Sequence, residues 1–148
     1  RISDITPSNF EKVMRVNALG ALLVAKWFSP LLTKARPCQF VNISARVGSI
    51  SDNHLGGWYS YRCSKAALNM ITRNLSIELK RKLPKVICTA IHPGTTDTNL
   101  SKPFQRNVRL DRLSTSQETA VKILDVTDKL TCRQNGRFLS TDGVPIPW

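Results

Sequence analysis

The stretch Gln39-Phe40-Val41-Asn42-Ile43-Ser44 and the stretch Val86-Ile87-Cys88-Thr89-Ala90-Ile91 are short, apolar runs that favour buried strands. Between them, residues 59–82 place apolar side chains at helical spacing, and Pro84 ends that helix. We expect its apolar side to be formed by Ala66, Ala67, Met70, Ile71, Leu75 and Leu79. A strand, a helix and a second strand in this order predict a parallel pair, because parallel strands need a crossover connection.

The flanking residues extend the same alternation in both directions. Thr6-Pro7-Ser8-Asn9-Phe10-Glu11 is a strong helix start, and apolar residues recur at helical spacing as far as Phe28. Ser114-Thr115-Ser116-Gln117-Glu118 is a capping signal for a third helix, and Arg137-Phe138-Leu139-Ser140 fits a last short strand. Residues 95–113 read as irregular. The chain therefore predicts one α/β domain over residues 1–148, built on a parallel sheet.

The bulk composition is that of a globular protein with a basic surface. Of the 148 residues, 41% are hydrophobic, and the formal net charge is +12. No uninterrupted apolar run reaches the ~18 residues of a membrane span, so no membrane partner is expected. The longest apolar tract, residues 18–24, predicts a helix packed on most sides. Nucleic-acid binding is a distant alternative, because the charges are dispersed and no aromatic residues interleave them.

The cysteines and histidines predict no metal site. Cys38, Cys63, Cys88 and Cys132 match no zinc spacing, and free thiols indicate a reducing compartment, hence a cytoplasmic protein. Cys63 is interpreted as a packing residue. The two histidines, His54 and His92, are interpreted as loop residues without partners.

Tyr61 and Lys65 are the first candidates for chemistry. Four residues apart on one helix, they share a face, and the ammonium is expected to lower the pKa of the phenol. Such a tyrosine can act as a general acid or base, whereas the plain alternative is an exposed tyrosine beside a solvated lysine. Residues 44–49 and 93–98 follow the two strands, and functional sites gather at that edge of a parallel sheet.

Four blocks together resemble the short-chain dehydrogenase/reductase family, in the branch of C-factor signalling proteins and sniffer-type carbonyl reductases. The blocks are Val16-Asn17-Ala18-Leu19-Gly20, Val41-Asn42-Ile43-Ser44 with Gly48-Ser49-Ile50, Tyr61-Arg62-Cys63-Ser64-Lys65-Ala66-Ala67-Leu68, and His92-Pro93-Gly94-Thr95-Thr96-Asp97-Thr98. The resemblance implies a Rossmann-type doubly wound sheet, of which the chain would be the C-terminal portion. The strand and Gly-rich turn that cradle the dinucleotide pyrophosphate would precede Arg1.

The resemblance also implies the reaction and its residues. A hydride would pass between a nicotinamide and a small carbonyl or alcohol substrate, with Tyr61 as the acid/base. Lys65 would lower the pKa of Tyr61 and hydrogen-bond the nicotinamide ribose, and Asn17 would take part in a proton relay. Pro93, Gly94, Thr96 and Thr98 would contact the cofactor, which is NADP or NAD, with NADPH slightly favoured by the basic charge. Homo-oligomers would form through the two long helices, around residues 17–34 and 59–82.

One position departs from the family. The residue that follows Asn42-Ile43-Ser44 is usually the catalytic serine, but here it is Ala45. The hydroxyl that polarises the carbonyl would then come from Ser49 or Ser44 or be missing, with Ser49 slightly favoured over Ser44 because Gly48 frees the loop to turn inward. A catalytically inactive, truncated or C-factor-like signalling protein is the alternative reading. Residues 99–113 would cover the substrate, and Phe104, Val108 and Leu110 suggest a partly apolar pocket.

Overall fold

A computed structural model describes residues 1–107, 109 and 112–148 as an α/β domain. The helices are α1 (Pro7–Met14), α2 (Gly20–Phe28), α3 (Tyr59–Lys82) and α4 (Ser116–Asp128). The strands are β1 (Cys38–Ile43), β2 (Val86–His92), β3 (Thr95–Thr96), β4 (Leu113–Ser114) and β5 (Phe138–Ser140). The predicted alternation of helices with the strands β1, β2 and β5 is confirmed, whereas β3 and β4 were not predicted.

The main sheet is parallel and has the order β1-β2-β5. The register pairs Cys38 with Val86 at one end of β1 and Ile43 with Ile91 at the other. The central strand β2 is buried from Val86 to Ile91, as expected for a strand with a neighbour on each side and a helix above it. The core therefore lies on β2 and β5, and β1 forms an edge of this sheet.

A second, two-stranded sheet joins the segments on either side of residues 97–112. Thr95 pairs with Leu113 and Thr96 with Ser114, in parallel. The prediction that residues 95–113 are irregular is therefore wrong at both ends, because strands of two residues leave no periodic pattern to read. Phe104 lies in the 3₁₀ turn Lys102–Asn107 and is 55% exposed, whereas Val108 and Leu110 lie outside the described residues.

The buried face of α3 is polar rather than apolar. Its buried residues are Ser60, Ser64, Leu68, Asn69, Thr72 and Ser76. Met70, predicted for the core, is instead 61% exposed. Small side chains let the helix lie close to the strands. Thr72 Oγ1 donates a hydrogen bond of 2.9 Å to the Leu68 carbonyl and accepts one of 2.9 Å from Asn42 Nδ2. Buried polar groups are tolerated when they are hydrogen-bonded in this way.

Helix α2 is more exposed than its apolar sequence predicts. Between residues 18 and 28, only Ala18 and Ala25 are buried. The exposed fractions are 43% at Leu22, 44% at Leu23, 49% at Val24, 68% at Trp27 and 57% at Phe28. The prediction of a helix packed on most sides is therefore wrong for this chain. Within the described ranges, none of the helices is both long and apolar enough to cross a membrane.

Candidate active site

The first turns of α3 hold Tyr61 and Lys65 at the carboxyl end of β1. The Lys65 Nζ atom lies 5.8 Å from the centre of the Tyr61 ring and donates a hydrogen bond of 3.0 Å to the carbonyl oxygen of Ile43, the last residue of β1. Neither residue is fully exposed. This arrangement is more specific than the plain alternative of a solvated lysine beside an exposed tyrosine.

Burial, rather than charge, dominates the two pKa values. The pKa of Tyr61 is raised and the pKa of Lys65 is lowered, and in both cases the cause is desolvation of the charged form. The expected lowering of the Tyr61 pKa is therefore wrong for this chain. The only hydrogen bond that the Lys65 ammonium makes among the described residues is to the Ile43 carbonyl, so desolvation is the dominant cause of the shift at Tyr61. Tyr61 is accordingly held as a proton donor.

Asn17 lies in a π-helical turn, Arg15–Leu19, that separates α1 from α2. The turn is closed by a bond from the Gly20 amide to the Arg15 carbonyl, five residues back. The Asn17 Nδ2 atom donates to Ser64 Oγ at 3.0 Å, and Ser64 Oγ donates to the Tyr61 carbonyl at 2.8 Å. Asn17 thus contacts α3 one residue before Lys65. The π turn is a feature that helical periodicity does not reveal, and such turns are frequent at functional sites.

The two candidate serines flank a short turn after β1. Both Ser44 and Ser49 are 2% exposed. Ser44 donates to Asn69 Oδ1 at 2.6 Å, whereas Ser49 Oγ accepts from the Asp52 amide at 3.1 Å. Among the described residues, Ser49 has no acceptor for its own hydroxyl hydrogen. Of the two candidates, Ser49 is therefore the serine whose hydroxyl hydrogen is not already used in a hydrogen bond within the described residues.

Position 48 requires glycine because its backbone lies close to Lys65, and not because the chain adopts a left-handed conformation there. Its backbone is not left-handed, but a Cβ atom there would lie 2.8 Å from both the Lys65 Cβ and the Lys65 carbonyl carbon. The expectation that Gly48 frees the loop is therefore replaced by a packing reason. The 3₁₀ turn Arg46–Gly48 rests directly on the backbone of the residue that carries the ammonium.

The end of β2 contacts the serine turn. His92 is part of β2, and its Nδ1 atom accepts a hydrogen bond of 3.3 Å from the Arg46 amide, so the prediction of a partnerless loop histidine is wrong for His92. Burial and the charge of Arg46 lower the pKa of His92 to about 4. Gly94 has a φ of +78° and nothing within 4 Å of the position of a Cβ, which leaves open space beside the backbone.

The two predicted threonines are held by neighbours. Thr96 Oγ1 shares a hydrogen bond of 3.0 Å with Thr119 Oγ1 of α4, and the Thr98 amide donates to Ser101 Oγ at 3.2 Å. The Thr98 side chain is exposed. Thr98 is thus the freer of the two to contact a ligand.

Arg62 was missed from the sequence. Its Nε donates to the Gly56 carbonyl at 3.1 Å and its Nη1 to the Val47 carbonyl at 3.2 Å, while its Cζ lies 5.5 Å from the centre of the Trp58 ring. Arg62 therefore fastens the long loop before α3 to the serine turn. Its place between Tyr61 and Lys65, after a Gly-rich loop, is the signal that could have indicated this.

Cys63, by contrast, does not pack as expected, because it is exposed, and all four cysteines are free thiols.

Comparison with known proteins gives a consistent result. Residues 1–109 match the short chain dehydrogenase family. The chain is 30% identical over 147 residues to the C-signal of Myxococcus xanthus, covering 99% of this chain and 83% of that protein. The carbonyl reductase Sniffer of D. melanogaster superposes with a TM-score of 0.88 at 28% identity, covering 100% of this chain and 60% of that one.

A third likeness is to the NADPH-bound carbonyl reductase from chicken fatty liver, with a TM-score of 0.85 and 33% identity, covering 100% of this chain and 60% of the reductase. The chain spans 57% of a Rhodococcus dehydrogenase with which it is 35% identical, so several relatives are much longer. The family match and the parallel sheet agree with the resemblance that the sequence blocks suggested. The chain belongs to the short-chain dehydrogenase family.

Proposed function

We propose that this protein takes part in NAD(P)-dependent hydride transfer between a nicotinamide and a small carbonyl or alcohol substrate. The observation that carries the proposal is the placement of Tyr61 and Lys65 at the strand-end edge of the sheet, with Lys65 anchored to the Ile43 carbonyl at 3.0 Å. A protonated phenol in a partly desolvated site is a suitable donor to a developing alkoxide.

Each residue of the candidate site has a separate role in this reaction. Tyr61 donates its hydroxyl proton to the substrate oxygen during reduction and takes it back during oxidation. The Lys65 ammonium stabilises negative charge that develops on the phenol, and Ser49 donates a hydrogen bond to the substrate oxygen. Asn17 holds Ser64 and, through it, the turn of α3 that carries both groups.

The open space beside Gly94 fits a planar ring that approaches the backbone closely. Pro93, Gly94 and Thr98 would line the nicotinamide, Thr96 would border it, and Lys65 would reach its ribose. A bound nicotinamide supplies or accepts the hydride. The carbonyl reductases among the relatives, one of them with NADPH bound, support a carbonyl substrate and a preference for NADPH.

The test is oxidation of NADPH or NADH by the protein in the longest form that its gene encodes, with a panel of small carbonyls. We expect Tyr61→Phe to lower the rate at least about 10²-fold, because it removes the general acid. Tyr59→Phe is the matched control, since Tyr59 is the other tyrosine of the same turn and is 42% exposed. Equal rates for both variants would contradict the proposal.

The second candidate is a signalling protein without turnover. It is favoured by Ala45 at the usual serine position and by the C-signal, of which the chain spans 83%. Cofactor binding without oxidation of NADPH on the whole panel would support this candidate and exclude the first. Salt-sensitive binding to random DNA would instead favour the nucleic-acid alternative raised by the net charge of +12.

We further propose that the protein is a homo-oligomer in the cytoplasm. The free thiols suit a reducing compartment. The exposed apolar side chains of α2 and α3 offer a contact surface for a second copy.

A further inference from the structure

His92 extends the hydrogen-bond ladder of the sheet beyond the end of β1. The last main-chain bond of that ladder runs from the Ser44 amide to the Ile91 carbonyl, at 2.8 Å. Two residues further on, the Arg46 amide donates to His92 Nδ1 instead, at 3.3 Å. A side chain therefore takes the place of the next carbonyl at the point where the two strands diverge.

The Arg46 amide has no acceptor within its own turn. Arg46 is the first residue of the 3₁₀ turn Arg46–Gly48, and the first amides of a helical turn have no partner within it. A serine or threonine before such a turn often supplies an oxygen, but Ala45 has only a methyl group and makes no side-chain bond. The imidazole of His92 supplies the acceptor from the neighbouring strand.

The other side of the same turn rests on α3. The Gly48 backbone approaches Lys65 so closely that a Cβ atom would lie 2.8 Å from the Lys65 side chain. The Ser49 amide donates to the Arg46 carbonyl at 2.9 Å, so Ser49 follows any movement of Arg46. The turn is thus held between β2 on one side and the lysine of the site on the other.

We propose that His92 is a positioning residue, whose neutral Nδ1 holds the Arg46 amide and thereby fixes the turn that packs against Lys65 and leads into Ser49. This inference rests on the proposed function for its catalytic consequence, but the contact itself does not. His92 must carry its hydrogen on Nε2, because Nδ1 is the acceptor. Its lowered pKa, about 4, agrees with an imidazole that stays neutral at ordinary pH.

The experiment compares His92→Asn with His92→Gln. The side-chain oxygen of asparagine can occupy the place of Nδ1, whereas that of glutamine reaches the place of Nε2. We expect His92→Asn to retain kcat near the unchanged protein and His92→Gln to lose about tenfold to a hundredfold in kcat, with KM for the cofactor unchanged, because Ser49 is displaced. His92→Ala should match the glutamine variant.

A second measurement does not depend on turnover. We expect hydrogen exchange at the Arg46 amide, followed by NMR, to be slow in the unchanged protein and in His92→Asn, and faster in His92→Gln. If no variant and no wild-type sample turns over a carbonyl, the proposed function fails while this measurement still decides the role of His92. Equal exchange rates in all three proteins, or equal kcat for the asparagine and glutamine variants, would overturn the inference.

Discussion

At the scale of single residues, the candidate donors are the hydroxyl groups whose hydrogen atoms are not already used in hydrogen bonds within the protein. Ser44 gives its hydroxyl hydrogen to Asn69, whereas Ser49 accepts a bond and, within the described part of the chain, gives none. Tyr61 keeps its hydrogen because burial raises its pKa. These two available donors, Ser49 and Tyr61, are the ones that a carbonyl oxygen would need.

The serine assignment gives a direct test. We expect Ser49→Ala to lower kcat by about 10²–10³, the usual cost of losing one donor to a developing oxyanion. Ser44→Ala is the control, and it should leave kcat unchanged but lower the free energy of unfolding by about 1–3 kcal/mol, because Asn69 loses its buried partner. Steady-state kinetics and urea unfolding would separate the two effects, and the reverse pattern would assign the role to Ser44.

His92 should also make stability depend on pH. Its pKa is about 4 in the folded protein against 6.5 for the free side chain, so the unfolded state binds more protons between these values. The contribution is complete above about pH 6.5 and is lost as the pH falls through 4, with a total on the order of 2–3 kcal/mol. Urea unfolding from pH 7.5 to 4 should show a smaller loss in His92→Asn, and identical losses would refute this.

At the scale of elements, the order of helices and strands is readable from the sequence, but the faces they present are not. The two apolar runs and the capping signals predict β1, β2, α3 and α4 because each depends on local spacing and propensity. The buried face of α3 follows a different rule, since small hydroxyl residues that bond to their own helix allow it to approach the sheet. Hydrophobic periodicity therefore selects Met70, whereas the structure buries Thr72.

The site shows the same division. The pairing of Tyr61 with Lys65 is predictable from their spacing, but the π turn at Asn17 and the His92–Arg46 bond depend on tertiary neighbours that no local pattern contains. The packing requirement for glycine at position 48 could not be predicted from the sequence either, because the close approach to Lys65 is a contact between two elements.

The packing of the serine turn against α3 can be tested at two glycines. Gly48→Ala places a Cβ 2.8 Å from the Lys65 backbone, which cannot move aside as a flexible side chain can, so we expect a loss of about 1–3 kcal/mol and a lower kcat. Gly20→Ala is the control, since its nearest contact is 3.6 Å and alanine favours a helix by about 0.5–1 kcal/mol. Thermal unfolding that ranks Gly48→Ala at or above Gly20→Ala would contradict this account.

At the scale of the whole molecule, large apolar side chains are exposed along α2. The strand β1 is an edge, and α2 exposes Trp27 at 68% and Phe28 at 57%. Exposed apolar patches of this kind mark surfaces that bind other protein. Relatives of which the chain spans only 57–60% have further residues that could cover such a surface, and a second copy could do so as well.

Self-association is expected through α3. Met70 and Ile77 lie seven residues apart on one face, exposed at 61% and 45%, and we expect the double change to lysine to shift the protein in its longest form toward the monomer. Leu124→Lys on α4 is the control, because that residue is 62% exposed on another helix. Analytical ultracentrifugation measures the distribution, and an unchanged oligomer in the double variant would exclude this surface.

The π-helical turn at Arg15–Leu19 sets a constraint on chain length. Its bond spans five residues instead of four, so the helical region from Pro7 to Phe28 contains one residue more than a continuous α-helix would need. Deleting a single residue there would remove the π turn and change the direction in which the Asn17 side chain points relative to Ser64. Tolerance to substitution in this turn therefore does not imply tolerance to a one-residue deletion, which would disconnect Asn17 while every named side chain of the site remained present.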